Sequence, residues 1–294
     1  MHGYQNIEPV RKAILIGVPG SGKKYLPGVQ YDVQNKFDYL CSPRGGAWLP
    51  EEIVTVFDPT VEEMACLVEW ALSDYAYVYF SGHGLMMQGS NFLRLKDDLI
   101  LDLDLFNVNT PRQLIVSDTC RKYLPAISGI PEEMERWMAA TGFSEARQIF
   151  NNYILNSPAG RMIIHGTQEG EVAKDSVHRD GGVFTLSLLK ALHSFKSSAG
   201  YYPIMVKDAI EKAREILKAD RSKQIPQITF EQGNLQVPLG ISSSNFLNKQ
   251  EIIENRNRIL YQFQEHQQKT REANTNTLLL TAGIGIILWG LSRK

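Results

Sequence analysis

Residues 75–84 read YAYVYFSGHG and residues 114–120 read LIVSDTC. Each stretch is a short apolar, β-rich run that ends abruptly in reactive side chains. The first delivers Ser81-Gly82-His83-Gly84 and the second Asp118-Thr119-Cys120. Continuous rather than alternating hydrophobicity is the mark of strands buried on both faces of a parallel sheet. In such sheets the chemistry sits beyond the carboxyl ends of the strands. If the two runs are neighbouring strands, an imidazole and a thiol face one another across a single crevice. A Cys paired with a His can ionise and attack a carbonyl carbon, and the His can then protonate the leaving amine. The glycines around His83 allow a sharp turn and close approach to a substrate. The amide of Gly84 is placed to meet a developing oxyanion.

The rest of the chain supports the same sheet. Ala13–Ile16, Ile53–Val56 and Met162–His165 are further apolar, β-rich runs. Helical patterns lie between them: VQYDVQNKFDYL with Val29, Val33, Phe37 and Leu40 on one face, TVEEMACLVEWALS opened by a capping box of Thr60 and Glu63, GGVFTLSLLKALHSF, and VKDAIEKAREILK. Strands alternating with helices predict an α/β fold with a mostly parallel sheet flanked by helices. Residues 1–241 are read as one domain and 242–272 as a polar helical linker. The segment 121–160 exceeds a normal connection and reads as an insertion or processing region.

Composition narrows the function. Charges nearly cancel across the 294 residues, with 31 basic and 32 acidic side chains, so no nucleic-acid surface is expected. The six His and three Cys lack the paired spacing of a zinc site, and an odd number of thiols suits a reducing compartment. The stretch GVPGSGKK at 17–24 approaches the phosphate-binding template, but Lys24 stands where a hydroxyl should meet magnesium, and more loop follows instead of a helix. From Ala273 to Ser292 the sequence carries no charge over 20 residues. A helix of that length spans roughly 30 Å, one hydrocarbon core. Residues 273–292 are therefore expected to form a single C-terminal transmembrane anchor, with the catalytic part in the cytoplasm.

YVYFSGHG and LIVSDTC together resemble the caspase-like cysteine peptidases, the metacaspase branch in particular. The likeness extends over most of residues 11–240, through KAILIGV, LPGVQYDVQNKFDYL, IIHGTQEGEVAKDS…GGVFTLSLLKAL and QIPQITF. It places GVPGSGKK in the loop after the first strand of a peptidase. It implies Cys120 as nucleophile, His83 as acid–base, and an oxyanion hole from the amides of Gly84 and Cys120. Caspases that cut after Asp carry Gln two residues before the nucleophile, whereas metacaspases, which cut after Arg or Lys, carry Asp there, as Asp118 stands here. Asp32, Ser81 and Asp175 match the other substrate-binding positions of that pocket. A group of carboxylates would bind a guanidinium or ammonium.

The chain departs from the metacaspase pattern in having Arg121-Lys122-Tyr123 after the nucleophile in place of His-Ser-Gly. Its stretch from His83 to Cys120 is also short. Calcium activation through Asp97, Asp98, Asp102 and Asp104 is the one cofactor the resemblance raises, and the shortening disturbs that alignment. The reading as a whole is a cysteine endopeptidase cutting proteins after Arg or Lys, latent until triggered. The trigger would be a partner protein, a small signalling ligand, calcium or self-cleavage, with Arg136 and Arg147 as self-cleavage candidates. A homodimer is compatible with it, and stress, cell-death or antiphage pathways are where such peptidases serve. The alternative is a catalytically idle scaffold of the same fold that binds a partner at the membrane.

Overall fold

A computed structural model describes residues 8–22, 25–87, 90–95, 99–120, 143–174, 180–197 and 200–243. The strands are β1 (Arg11–Val18), β2 (Ile53–Phe57), β3 (Tyr75–Gly82), β4 (Gly84–Met87), β5 (Ser90–Arg94), β6 (Ile100–Asp102), β7 (Arg112–Thr119), β8 (Gly160–His165), β9 (Tyr201–Met205), β10 (Gln227–Gly233) and β11 (Pro238–Ser243). The helices are α1 (Gly28–Cys41), α2 (Val61–Trp70), α3 (Phe143–Asn156), α4 (Val183–Ser194) and α5 (Val206–Ala219). All five expected strands and the four helices expected among them are present.

The main sheet has six strands in the order β10-β8-β7-β3-β1-β2. Four of its five strand pairings are parallel, and β10 runs antiparallel to β8 at the edge. Two small sheets accompany it: β11 with β9, and the antiparallel β4-β5-β6 that leaves β3 immediately after His83. The connections β1–α1–β2 and β2–α2–β3 explain the parallel register, since parallel neighbours need a crossover.

The period of two along each strand assigns its faces. Tyr75, Tyr77 and Tyr79 of β3, Ala13 and Leu15 of β1, and Leu114 and Val116 of β7 join one core cluster. That cluster also holds Val33 and Leu40 of α1, Leu188 and Leu192 of α4, and Ala209 and Ala213 of α5. The intervening Ala76, Val78 and Phe80, Ile14 and Ile16, and Ile115 join the opposite cluster with Met64 of α2 and Phe106. Carried forward by two, the first parity puts Ser81 and Asp118 on the face covered by α1 and α4. The capping box is formed as read: Thr60 Oγ1 accepts from the amide of Glu63, and Glu63 Oε2 accepts from the amide of Thr60.

β11 packs on the fold up to Ser243, where Ser242 Oγ donates to the carbonyl of Phe195 and Ile241 is fully buried. Among the described residues no helix is long and apolar enough to cross a membrane. The expected anchor at 273–292 and nearly all of the linker lie outside them.

Candidate active site

The parallel pairing of β3 and β7 builds the site. Register runs Phe80 to Ser117, Ser81 to Asp118 and Gly82 to Thr119. One step further along both chains stand His83 and Cys120. Both are partly exposed, whereas the strand residues behind them are buried. Arg94 donates its backbone N–H to the carbonyl of His83 at 3.0 Å, so the β4–β5 hairpin fixes the His83 backbone. Gly84 lies against the Cys loop. A Cβ there would come within 2.7 Å of Thr119 Cβ and 2.9 Å of the Cys120 carbonyl oxygen, so only glycine permits this approach. The Cys120 thiol donates to the carbonyl of Ala173 at 3.6 Å, and Thr167 Oγ1 donates to the carbonyl of Thr119 at 3.3 Å. The loop that carries these contacts is itself tied down. Lys174 donates its amide to Gln224 Oε1 at 3.3 Å, and its carbonyl accepts from Val183 at 2.8 Å.

Behind this edge lies a buried carboxyl cluster. Asp32 of α1, Ser81 of β3 and Asp118 of β7 are 1%, 2% and 4% exposed. Ser81 Oγ donates to Asp32 Oδ2 at 2.7 Å, and the amide of Gly182 donates to Asp32 Oδ1 at 2.7 Å. Thr185 of α4 gives Asp118 Oδ2 two hydrogen bonds, from its hydroxyl at 2.7 Å and its amide at 3.2 Å. Because the Thr185 hydroxyl proton points to Asp118, the Tyr79 hydroxyl is the donor in its 2.7 Å contact with Thr185 Oγ1. Gly182 sits between the two acids: a Cβ there would meet Asp118 Oδ2 at 2.6 Å and Asp32 Oδ2 at 2.9 Å. The fold therefore gathers three of the four sequence-predicted pocket residues. The fourth, Asp175, lies outside the described residues, as do Asp97 and Asp98. Among the described residues no group of acidic, His or Cys side chains could hold a metal ion.

Sequence reasoning missed Lys36. It is 1% exposed and faces the carboxyl cluster from α1, one turn after Asp32, with its Nζ 5.4 Å from the centre of the Tyr79 ring. Burial lowers its pKa from 10.5 to about 8, against the pull of Asp118 and Asp32 in the other direction. Burial also pushes the Tyr79 hydroxyl well above its ordinary range, with Asp32 and Asp118 adding to the effect, so that it remains a neutral donor. Val29, Asp32, Val33 and Lys36 follow the i, i+3, i+4, i+7 spacing of one helix face, which puts Lys36 on the buried side without disclosing its neighbours on other elements.

Of the two self-cleavage candidates, Arg136 lies outside the described residues. Arg147 is held inside α3, donating to Glu52 Oε1 at 2.8 Å, to Glu52 Oε2 at 2.9 Å and to Glu8 Oε2 at 3.2 Å. Cleavage there would require α3 to unwind, because a protease takes its substrate extended.

An α/β sheet with a Cys and a His at adjacent strand ends defines a candidate thiol hydrolase. The caspase domain family (Peptidase_C14) matches residues 10–235, most of the chain, and the protein belongs to that family. Members of the family are cysteine peptidases that act on proteins. Among solved structures the fold is similar to that of caspase-1 from Spodoptera frugiperda. The TM-score is 0.52 at 13% identity, over 82% of this chain and 93% of that one. No curated protein matches the sequence.

Proposed function

We propose that the chain is a cysteine endopeptidase that cuts proteins after Arg or Lys, with Cys120 as nucleophile and His83 as acid–base. The observation that carries this reading is the β3–β7 register, which leads His83 and Cys120 off neighbouring strand ends. The Cys120 thiol gives up its proton to His83, and its sulfur forms a bond to the scissile carbonyl carbon. The oxyanion is met by the amides of Gly84 and Cys120. The C–N bond then breaks as His83 protonates the leaving amine. Water, deprotonated by His83, hydrolyses the thioester and restores the thiol.

Asp32, Ser81 and Asp118, with Asp175 as a fourth contributor, form the base of the pocket for the basic side chain. Asp118 stands where a caspase specific for Asp would carry Gln, which favours a basic over an acidic substrate residue. The enzyme is latent until triggered, and within the segment 121–160 Arg136 is the remaining processing candidate. Residues 273–292 tether the enzyme to a membrane with the peptidase facing the cytoplasm, a placement suited to stress, cell-death or antiphage signalling. The test is hydrolysis of matched peptides with Arg, Lys or Asp before the scissile bond. The basic peptides should be cut by the wild type and not by Cys120→Ala. Asp118→Ala should lose tenfold or more on them, from the removal of about 1.5–3 kcal/mol of charge-assisted binding. Full activity of Asp118→Ala on Arg peptides would remove the pocket assignment.

A further inference from the structure

Asp32 and Asp118 each accept hydrogen bonds from uncharged groups. Asp32 accepts from Ser81 Oγ and the Gly182 amide, and Asp118 accepts from the Thr185 hydroxyl and amide. Yet Lys36 is buried beside them, above the Tyr79 ring, with the loss of solvation as the largest influence on it. Burying a charged lysine is costly, and here the loss of solvation outweighs the pull of the two acids. A buried charge retained against that cost, in a cluster of titratable groups at the strand ends, marks a functional position. The charged and titratable groups that face it are Asp32 from its own helix, Tyr79 from β3 and Asp118 from β7.

We propose that Lys36 is a specificity-determining residue: a resident cation that shares the Asp32–Asp118 pair with the substrate's basic side chain and limits how tightly that side chain is held. The inference rests on the reading of this pair as the base of the Arg/Lys pocket. With the ammonium in place, two carboxyl groups serve two cations, so an incoming guanidinium meets less net negative charge than the acids alone would present. The bidentate geometry of a guanidinium suits it to such a shared site better than a second compact ammonium would. The pocket should therefore favour Arg over Lys.

The experiment compares the full-length wild type with Lys36→Met and Lys36→Arg. One readout is kcat/KM on peptides with Arg, Lys or uncharged citrulline before the scissile bond. The other, independent of catalysis, is calorimetric binding of agmatine as a free guanidinium probe. Lys36→Met should raise agmatine affinity and the Arg-over-citrulline ratio by about tenfold or more, the scale of one charge-assisted interaction released. Its Arg-over-Lys ratio should fall, and Lys36→Arg, which keeps the cation, should show no gain. Should Lys36→Met not fold, Lys36→Gln carries the same readouts. Agmatine binding that is unchanged or weaker without Lys36, in a wild type that does bind it, overturns the proposal and makes the lysine a positioning residue for the acids. If neither protein binds agmatine or prefers Arg, the acidic-pocket reading has failed and this inference falls with it.

Discussion

Replacing Lys36 by Met removes a buried charge and keeps most of the side-chain volume. The size of the effect follows from the titration of the lysine. In the unfolded chain it titrates near its ordinary 10.5, and in the fold burial lowers it to about 8. Between those values the unfolded chain binds a proton that the folded chain has released, so stability rises with pH across that window. Below about 8 the ammonium is charged in both states, and the fold carries the full cost of burying it. At about 1.4 kcal/mol per pH unit, the drop from 10.5 to about 8 corresponds to roughly 3 kcal/mol.

Lys36→Met should therefore be about 3 kcal/mol more stable than the wild type at pH 7, and the gap should narrow as pH rises above 8. Urea unfolding of both full-length proteins from pH 7 to 9.5, followed by tryptophan fluorescence, measures this. Burial also raises the titration of Cys41, Tyr39, Tyr75, Tyr77 and Tyr79, which erodes stability at high pH. Those groups are common to both proteins, so the difference between them isolates Lys36. A gap that does not change with pH, or a Lys36→Met protein less stable throughout, would refute the reasoning and show the ammonium to be a net structural partner of the two acids.

Other substitutions probe the rest of the site. Gly84→Ala places a methyl group within 3 Å of Thr119 and the Cys120 carbonyl, so the His83 loop must retreat. Stability should fall by about 1–3 kcal/mol and kcat/KM by about a hundredfold, as thermal melts and peptide hydrolysis would show. Thr185→Val removes the hydroxyl donor to Asp118 and leaves the buried Tyr79 hydroxyl without its acceptor. It should cost about 1–3 kcal/mol in urea unfolding and weaken the preference for basic peptides. The full-length protein should stay with membranes through a carbonate wash, and a protein that washes off removes the anchor from the proposal.

The sheet was legible because its inner strands are buried on both faces and read as unbroken apolar runs. Their ends were less so. β1 begins at Arg11, β7 begins at Arg112, and β3 and β7 run on through Ser81-Gly82 and Asp118-Thr119. Those polar residues continue the ladder without adding hydrophobicity. The two terminal nitrogens of the buried Arg11 bond Glu52 and the carbonyls of Gly46 and Ala47, a set of partners drawn from more than 30 residues away. β4, β5 and β6 were missed because each is three to five residues long and mixed in character, so no period emerges. Asp118 and Cys120 were legible because a strand end fixes their place. Lys36 was not, because a helical lysine is ordinarily solvated, and only the tertiary placement of Asp118 and Tyr79 turns its burial into a property of the site.

The most direct test of the central claim is mass-spectrometric mapping of the cysteine modified by an arginyl chloromethyl ketone. An aspartyl ketone serves as the matched control. The measurement should be made on the purified full-length protein and in lysate of its native host, where any trigger is present. A Cys/His peptidase specific for basic residues predicts modification of Cys120 by the arginyl reagent, loss of that modification in His83→Ala and after unfolding in urea, and little reaction with the aspartyl reagent. Cys120 left unmodified while the exposed Cys66 reacts, or a preference for the aspartyl reagent, would contradict it.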